Sequence, residues 1–124
     1  MHIDREAFED AVERAIESIP EMFRAQLTNI AIAVEDRPAK ALLTEMGIPP
    51  GETLFGVFTG VSLPERSPTE PPLYPDEILI FREPLMAACL SLEELEEEIA
   101  ITVVHEVAHY LGLSEELLED LGYG

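Results

Sequence analysis

The feature that most constrains the fold is the run from Ser91 to Gly112, an apolar stretch carrying two histidines, His105 and His109, four positions apart. It reads as one long helix. Ser91 with Glu94 three residues on forms a capping box, in which side chains satisfy amide donors that the first helical turn leaves without partners. Glu93, Glu94, Glu96, Glu97 and Glu98 crowd the first two turns, where the positive end of the helix dipole favours carboxylates. Beyond them Ile99, Ala100, Val103, Val104, Val107, Tyr110 and Leu111 cover one broad side, while Glu98, Thr102, His105 and His109 share the other. The second half must therefore be buried, with one polar strip facing a cleft. Gly112 follows the last apolar pair and predicts the stop, since glycine enters the left-handed conformation at little cost.

Four residues are slightly more than one helical turn, so both imidazoles leave the same face with Cβ atoms about 5–6 Å apart. That spacing lets two Zn–N bonds of about 2.0–2.1 Å converge on one ion. Zinc is the expected ion, with another divalent metal as the alternative. Glu106 leaves the helix about 100° round from His105, beside such an ion, where a carboxylate can take a proton from water.

The pattern His105-Glu106-x-x-His109-x-x-Gly112-x-x-Glu115 resembles the extended zincin signature of the metzincin type, in which the residue three beyond the glycine supplies a third ligand. The whole chain is similar to the bacterial minimal zincin-like metallopeptidases, sometimes called mini-zincins. That resemblance implies a small α+β domain, a divalent-metal site of two histidines and one acid, and peptidase activity. It also exposes departures. Metzincins place His or Asp where this chain has Glu115, and they carry a methionine-containing turn downstream, whereas no methionine follows the motif here. Met86, upstream, is the nearest candidate for such a floor.

The third ligand has competitors. Glu116 is adjacent, and Glu119 and Asp120 lie on a last helix expected over Ser114 to Leu121. Ser114 is the natural cap of that helix, which puts Glu115 in its first turn, where acids also serve the dipole. Motif spacing favours Glu115. Tyr110, on the apolar side, and Tyr123 are expected to pack or fray rather than to act on a substrate.

A chain of 124 residues predicts one domain, 1–124, with a single core and no separate substrate-binding lobe. No basic, apolar leader and no apolar run near 18 residues is present, so neither export nor a membrane span is expected, and the cytoplasm is the default location. The single cysteine, Cys89, cannot form an internal disulfide and reads as a small buried apolar residue. The formal net charge is −19, from 26 acidic residues against 7 Lys and Arg. That balance excludes nucleic acid and a polybasic membrane anchor, because phosphate contacts need clustered cations. The charge can attract cationic peptides, metal ions or a basic protein partner, while a peptide or protein substrate is what the resemblance implies.

Along the chain, Asp4 can cap a helix over Arg5 to Ser18, whose apolar positions Ala7, Phe8, Ala11, Val12, Ala15 and Ile16 recur at spacings of three and four. Asp10 and Arg14 are placed for an i,i+4 pair on its outer face, and Pro20 ends it. Asn29 to Glu35 alternates large and small apolar residues as a strand does. A weaker helix is expected over Ala39 to Met46, ending at Gly47. Leu54 to Leu63 predicts a second strand with Gly56, Phe58 and Gly60 on one face, and glycines there imply a neighbour packed close. The metal helix is the candidate neighbour. Glu77 to Arg82 predicts a third strand, and its unbroken Ile78-Leu79-Ile80-Phe81 implies burial on both faces. Glu83-Pro84 should close that strand and Leu85 to Leu90 form a short helix. Between these strands Pro64 to Pro75 holds five of the ten prolines; it cannot be regular structure, and it is a candidate rim for the cleft.

The expected fold is thus α+β, a mixed sheet of about three strands on an N-terminal helix and the histidine helix. Two functional classes compete: a zinc-dependent peptidase, and a weak or inactive zincin-fold module that binds metal or peptide, with or without a partner to complete it.

Overall fold

In the computed structural model, which describes residues 1–60 and 76–123, the N-terminal helix α1 runs over Arg5–Ser18 as the spacing predicts. Asp4 caps it by accepting the Ala7 amide at 2.8 Å. Phe8, Ala11, Val12 and Ala15 are buried along one stripe. That stripe lies on the histidine helix α5, Leu92–Leu111. The link between their outer faces differs from the expected Asp10–Arg14 pair: Arg14 Nε meets Glu96 Oε1 on α5 at 2.5 Å. A half-exposed pair of this kind is worth at most about 1 kcal/mol, so burial of the apolar stripes holds the helices together.

Three strands form one mixed sheet in the order β1-β3-β2, where β1 is Ala31–Glu35, β2 is Gly56–Thr59 and β3 is Glu77–Phe81. Strand β3 runs parallel to β1 and antiparallel to β2. Its central place explains the unbroken apolar run, since Ile78 and Ile80 are fully buried and Phe81 nearly so. Strand β2 is shorter than expected, and Val61 to Leu63 fall outside the described residues, as does the expected rim loop Pro64 to Pro75.

Two connections differ from the sequence reading. Pro20 ends α1 as expected, but it also caps a one-turn helix α2, Glu21–Arg24, followed by a 3-10 turn over Ala25–Thr28. Phe23 drives that turn by inserting fully into the core. After β3 the chain turns helical at once, so that α4 spans Arg82–Ala88 and Pro84 sits in its first turn. Proline is tolerated there because amides of the first turn have no intrahelical partner to lose. The weaker helix is present as α3, Lys40–Glu45.

Helix α5 begins at Ser91, whose Oγ accepts the Glu94 amide at 3.1 Å. Glu94 reaches back one residue further than a standard box, taking the Leu90 amide at 2.6 Å. Leu95, Ile99, Val103, Val104 and Val107 have no exposed surface, and each such side chain contributes about 1.5–3 kcal/mol. Gly112, at φ +72°, ends the helix in the left-handed region. The chain then reverses into α6, Glu115–Asp120, capped by Ser114 Oγ on the Leu117 amide at 3.2 Å and anchored by buried Leu118. Among the described residues no helix is long and apolar enough to cross a membrane.

Candidate functional site

The close approach foreseen at the glycine face of β2 sets the geometry of the site. A Cβ built on Gly56 would lie 2.7 Å from Thr102 Cγ2 of α5 and 2.9 Å from the Leu79 carbonyl oxygen, so only glycine admits the helix this near. Two residues on, the Phe58 and Tyr110 rings meet with centroids 5.4 Å apart. Tyr110 is buried and serves packing, as expected.

Between these two contacts the Phe58 amide donates to Glu106 Oε1 at 2.7 Å. The direction of that amide follows from strand pairing. The Phe81 amide donates to the Phe55 carbonyl at 2.9 Å, and antiparallel pairs alternate between bonded and non-bonded. Gly56 and Phe58 therefore turn their main-chain groups away from β3, towards the edge of β2 that no other described strand pairs. Phe58 spends its amide on Glu106; the Gly56 amide and the carbonyls of Gly56 and Phe58 line the same edge.

Burial pushes the Glu106 carboxyl up from its ordinary pKa, and the Phe58 amide, His109 and His105 each pull it partly back. A carboxylate taken out of water is a stronger base than one at the surface. Among the described residues no hydrogen bond engages Oε2, so one oxygen is held and the other is available for a proton.

The ring of His105 is half-buried and that of His109 exposed, one turn apart on α5 as the spacing predicts. Nε2 of His105 is engaged by the main-chain oxygen of Tyr123. Tyr123 neither frays nor merely packs: its ring meets Phe23 edge-on at 6.4 Å and its carbonyl reaches the first histidine. Glu115 and Glu116 open α6, Glu119 and Asp120 end it, and all four side chains are exposed. Among the described residues no three His, Cys, Asp or Glu side chains gather closely enough to share one ion. Both imidazoles leave α5 one turn apart, and among the described residues none of the candidate third donors joins them. Donor chemistry nonetheless fits a divalent ion of zinc type: two imidazole nitrogens on one helix face, with carboxylates on the next element.

Two partners of the site had no signature in the sequence, the Phe58 amide and the Tyr123 carbonyl, because main-chain groups are the same at every position. The only available pointer was the glycine face of β2.

Cys89 is buried, in keeping with its reading as a small apolar residue. Met86 is a buried residue of the main core cluster.

Comparison with solved structures finds a conserved hypothetical protein from Thermus thermophilus, at a TM-score of 0.53 and 23% identity over 94% of this chain and 99% of that one. This likeness concerns the fold alone. No curated protein matches the sequence. The model of one family, described as zincin-like metallopeptidase, matches residues 27–124, from the turn before β1 through α6. With a match over most of its length, the chain belongs to the zincin-like metallopeptidase family.

Proposed function

We propose that the protein is a zinc-dependent peptidase, with His105, His109 and Glu115 holding the ion and Glu106 acting as general base. The observation that carries this reading is the state of Glu106. It is the motif acid, withdrawn from water, fixed through one oxygen by the Phe58 amide, with the second oxygen unengaged among the described residues. Burial of the charge is unfavourable and the Phe58 amide offsets it only in part, so the carboxyl stays more basic than one at the surface. Zinc, when bound, supplies a Lewis acid for the scissile carbonyl and acidifies water.

The remaining work belongs to the chain. Glu106 Oε2 takes a proton from water and delivers it to the leaving amine, a transfer typically worth 10²–10⁴-fold in rate. The edge of β2 that no other described strand pairs offers the Gly56 amide and the Gly56 and Phe58 carbonyls to an extended peptide, which adds as a further strand. Main-chain pairing places the scissile bond without reading side chains, consistent with a small domain acting on unstructured protein. The acidic surface, at a net charge of −19, attracts basic segments of such a substrate or of a partner.

A second reading, a zincin-fold module that binds metal or peptide without turnover or awaits a partner, is favoured by one observation: no third donor is gathered with the histidines among the described residues. Elemental analysis of the purified protein, with cleavage of an unstructured protein followed with and without chelator, separates the two. The enzyme reading expects about one zinc per chain and cleavage abolished by chelator. Zinc bound without any cleavage supports the module.

A further inference from the structure

The edge of β2 leads from the Phe58 amide to a second feature. Gly56 lies against Thr102, and Phe58, two residues on, meets Glu106 and Tyr110. Two strand residues advance about 6–7 Å, while α5 rises about 6–12 Å from Thr102 to Glu106 and Tyr110, so strand and helix run side by side in the same direction. Followed back from His105, their shared flank reaches a pocket of about 290 Å³ lined by Phe55, Ala88, Cys89, Glu94, Glu97 and Glu98. Phe55 directly precedes β2, and Glu98 leaves α5 about two turns before His105.

The pocket has an apolar floor and an acidic rim. Cys89, 2% exposed, belongs to the floor, and among the described residues no hydrogen bond engages its thiol. Burial first, then Glu98 and Glu94, push that thiol above its ordinary pKa, and the Met1 ammonium pulls it partly back. Both carboxylates are thus close enough to be felt at the sulfur. One oxygen of Glu94 takes the Leu90 amide at 2.6 Å, which holds the group in place. Among the described residues no ion pair engages Glu94, Glu97 or Glu98. The Met1 ammonium donates instead to the Met86 and Cys89 carbonyls, at 3.0 and 3.1 Å. The helix dipole accounts for Glu93 and Glu94 in the first turn, but its effect falls off before Glu97 and Glu98. Glu94 faces both of these at i,i+3 and i,i+4, where like charges repel, and a bound cation offsets that repulsion.

We propose that this pocket is a subsite of the peptidase cleft, taking a Lys or Arg side chain of the extended substrate about three residues from the bond that is cut. From Glu98 to His105 the helix rises about 10 Å, which a peptide laid along the edge of β2 covers in about three residues. The aliphatic stem of such a side chain lies on Phe55, Ala88 and Cys89, while its cationic head meets the carboxylates. Among the described residues the thiol and the carboxylates are not gathered closely enough to share one metal ion, so a cation on a long flexible stem is the fitting occupant. The proposal rests on the peptidase reading set out above. It adds one side-chain contact, and with it a substrate preference, to pairing that otherwise involves only the main chain.

Digestion of casein, an unstructured protein, by the zinc-loaded full chain, with every cut mapped by mass spectrometry, reads the preference directly. Lys and Arg should stand at the third residue on one side of the cuts about threefold to tenfold more often than in the substrate as a whole. Glu97→Gln with Glu98→Gln should remove that excess. Glu13→Gln with Glu17→Gln, which takes the same charge from exposed positions of α1, should keep it. Cuts without the excess overturn the subsite and leave the peptidase reading standing. An excess that survives the first pair of substitutions, or that both pairs abolish, overturns it too, the latter by making long-range charge the cause. A measurement on the parent alone compares two peptides spanning one mapped cut, with Lys or Gln at the third residue. The Lys peptide should show a kcat/KM about threefold to tenfold higher, carried by KM, and equal values overturn the proposal. Absence of any cleavage defeats the peptidase reading itself, and the subsite with it.

Discussion

The two flanks of α5 are built on opposite principles. On the β2 flank everything is fixed: a glycine against a threonine methyl, one aromatic ring on another, and between them an amide on the Glu106 carboxylate. On the α6 flank an exposed helix of six residues is held by one buried leucine, and the turn after it engages His105. The difference teaches which part of the site is preorganised. In the proposed mechanism Glu106 is the general base, and rigid packing aims it before reaction.

The sharpest way to break this contrast is to disable each flank in turn. Glu106→Gln keeps the shape of the carboxylate and its bond from Phe58 but cannot take a proton, so turnover should fall by about 10²–10⁴-fold or more with zinc content unchanged. His105→Ala should lose zinc and turnover together. Elemental analysis beside a cleavage assay checks both, and a Glu106→Gln variant as active as the parent would end the base assignment.

Next in size is Gly56→Ala. Its Cβ must push β2 from α5, at a cost of about 1–3 kcal/mol, and should slow turnover by displacing the Phe58 amide. Adding Thr102→Ser removes the methyl met at 2.7 Å but not the Leu79 carbonyl at 2.9 Å, so a partial recovery of Tm is expected. Additive losses in the double variant would show that the two residues are not in contact.

A smaller effect separates base from scaffold in metal-free protein. Because burial raises the Glu106 pKa in the folded state, the folded chain binds this proton more tightly than the unfolded one. Its contribution to stability is therefore greatest below the ordinary carboxylate range and is lost as pH rises through the folded pKa. Glu106→Gln should accordingly raise Tm at pH 7, with the advantage shrinking as pH falls towards 4. A pH-independent difference would refute charge burial as the cause. Smallest is Ser91→Ala, which removes the cap of α5 far from either flank. A loss of about 1 kcal/mol in denaturant unfolding is expected, with the zinc Kd unmoved.

What the chain determined by itself is what lies within a few residues of its cause. Helix α1 and its Asp4 cap, α5 from Ser91 to Gly112, the Ser114 cap and the one-turn spacing of His105 and His109 are properties of local periodicity, hydrogen bonding and glycine stereochemistry. The central place of β3 was legible too, because an unbroken apolar run has no polar face to expose, although Leu79, opposite buried Ile78 and Ile80, is only half-buried. Even the contact between the glycine face of β2 and α5 left a trace, since a missing side chain marks where something must fit. The helical start of α4 through Pro84 was not legible, since the residues alone fit a strand end equally well. Only the tertiary structure decided which main-chain groups meet the site: the Phe58 amide, 48 residues from Glu106, and the Tyr123 carbonyl, 18 residues from His105. Backbone donors and acceptors are identical along a chain, so their partners are chosen by the packing of distant elements and carry no mark in the residues themselves.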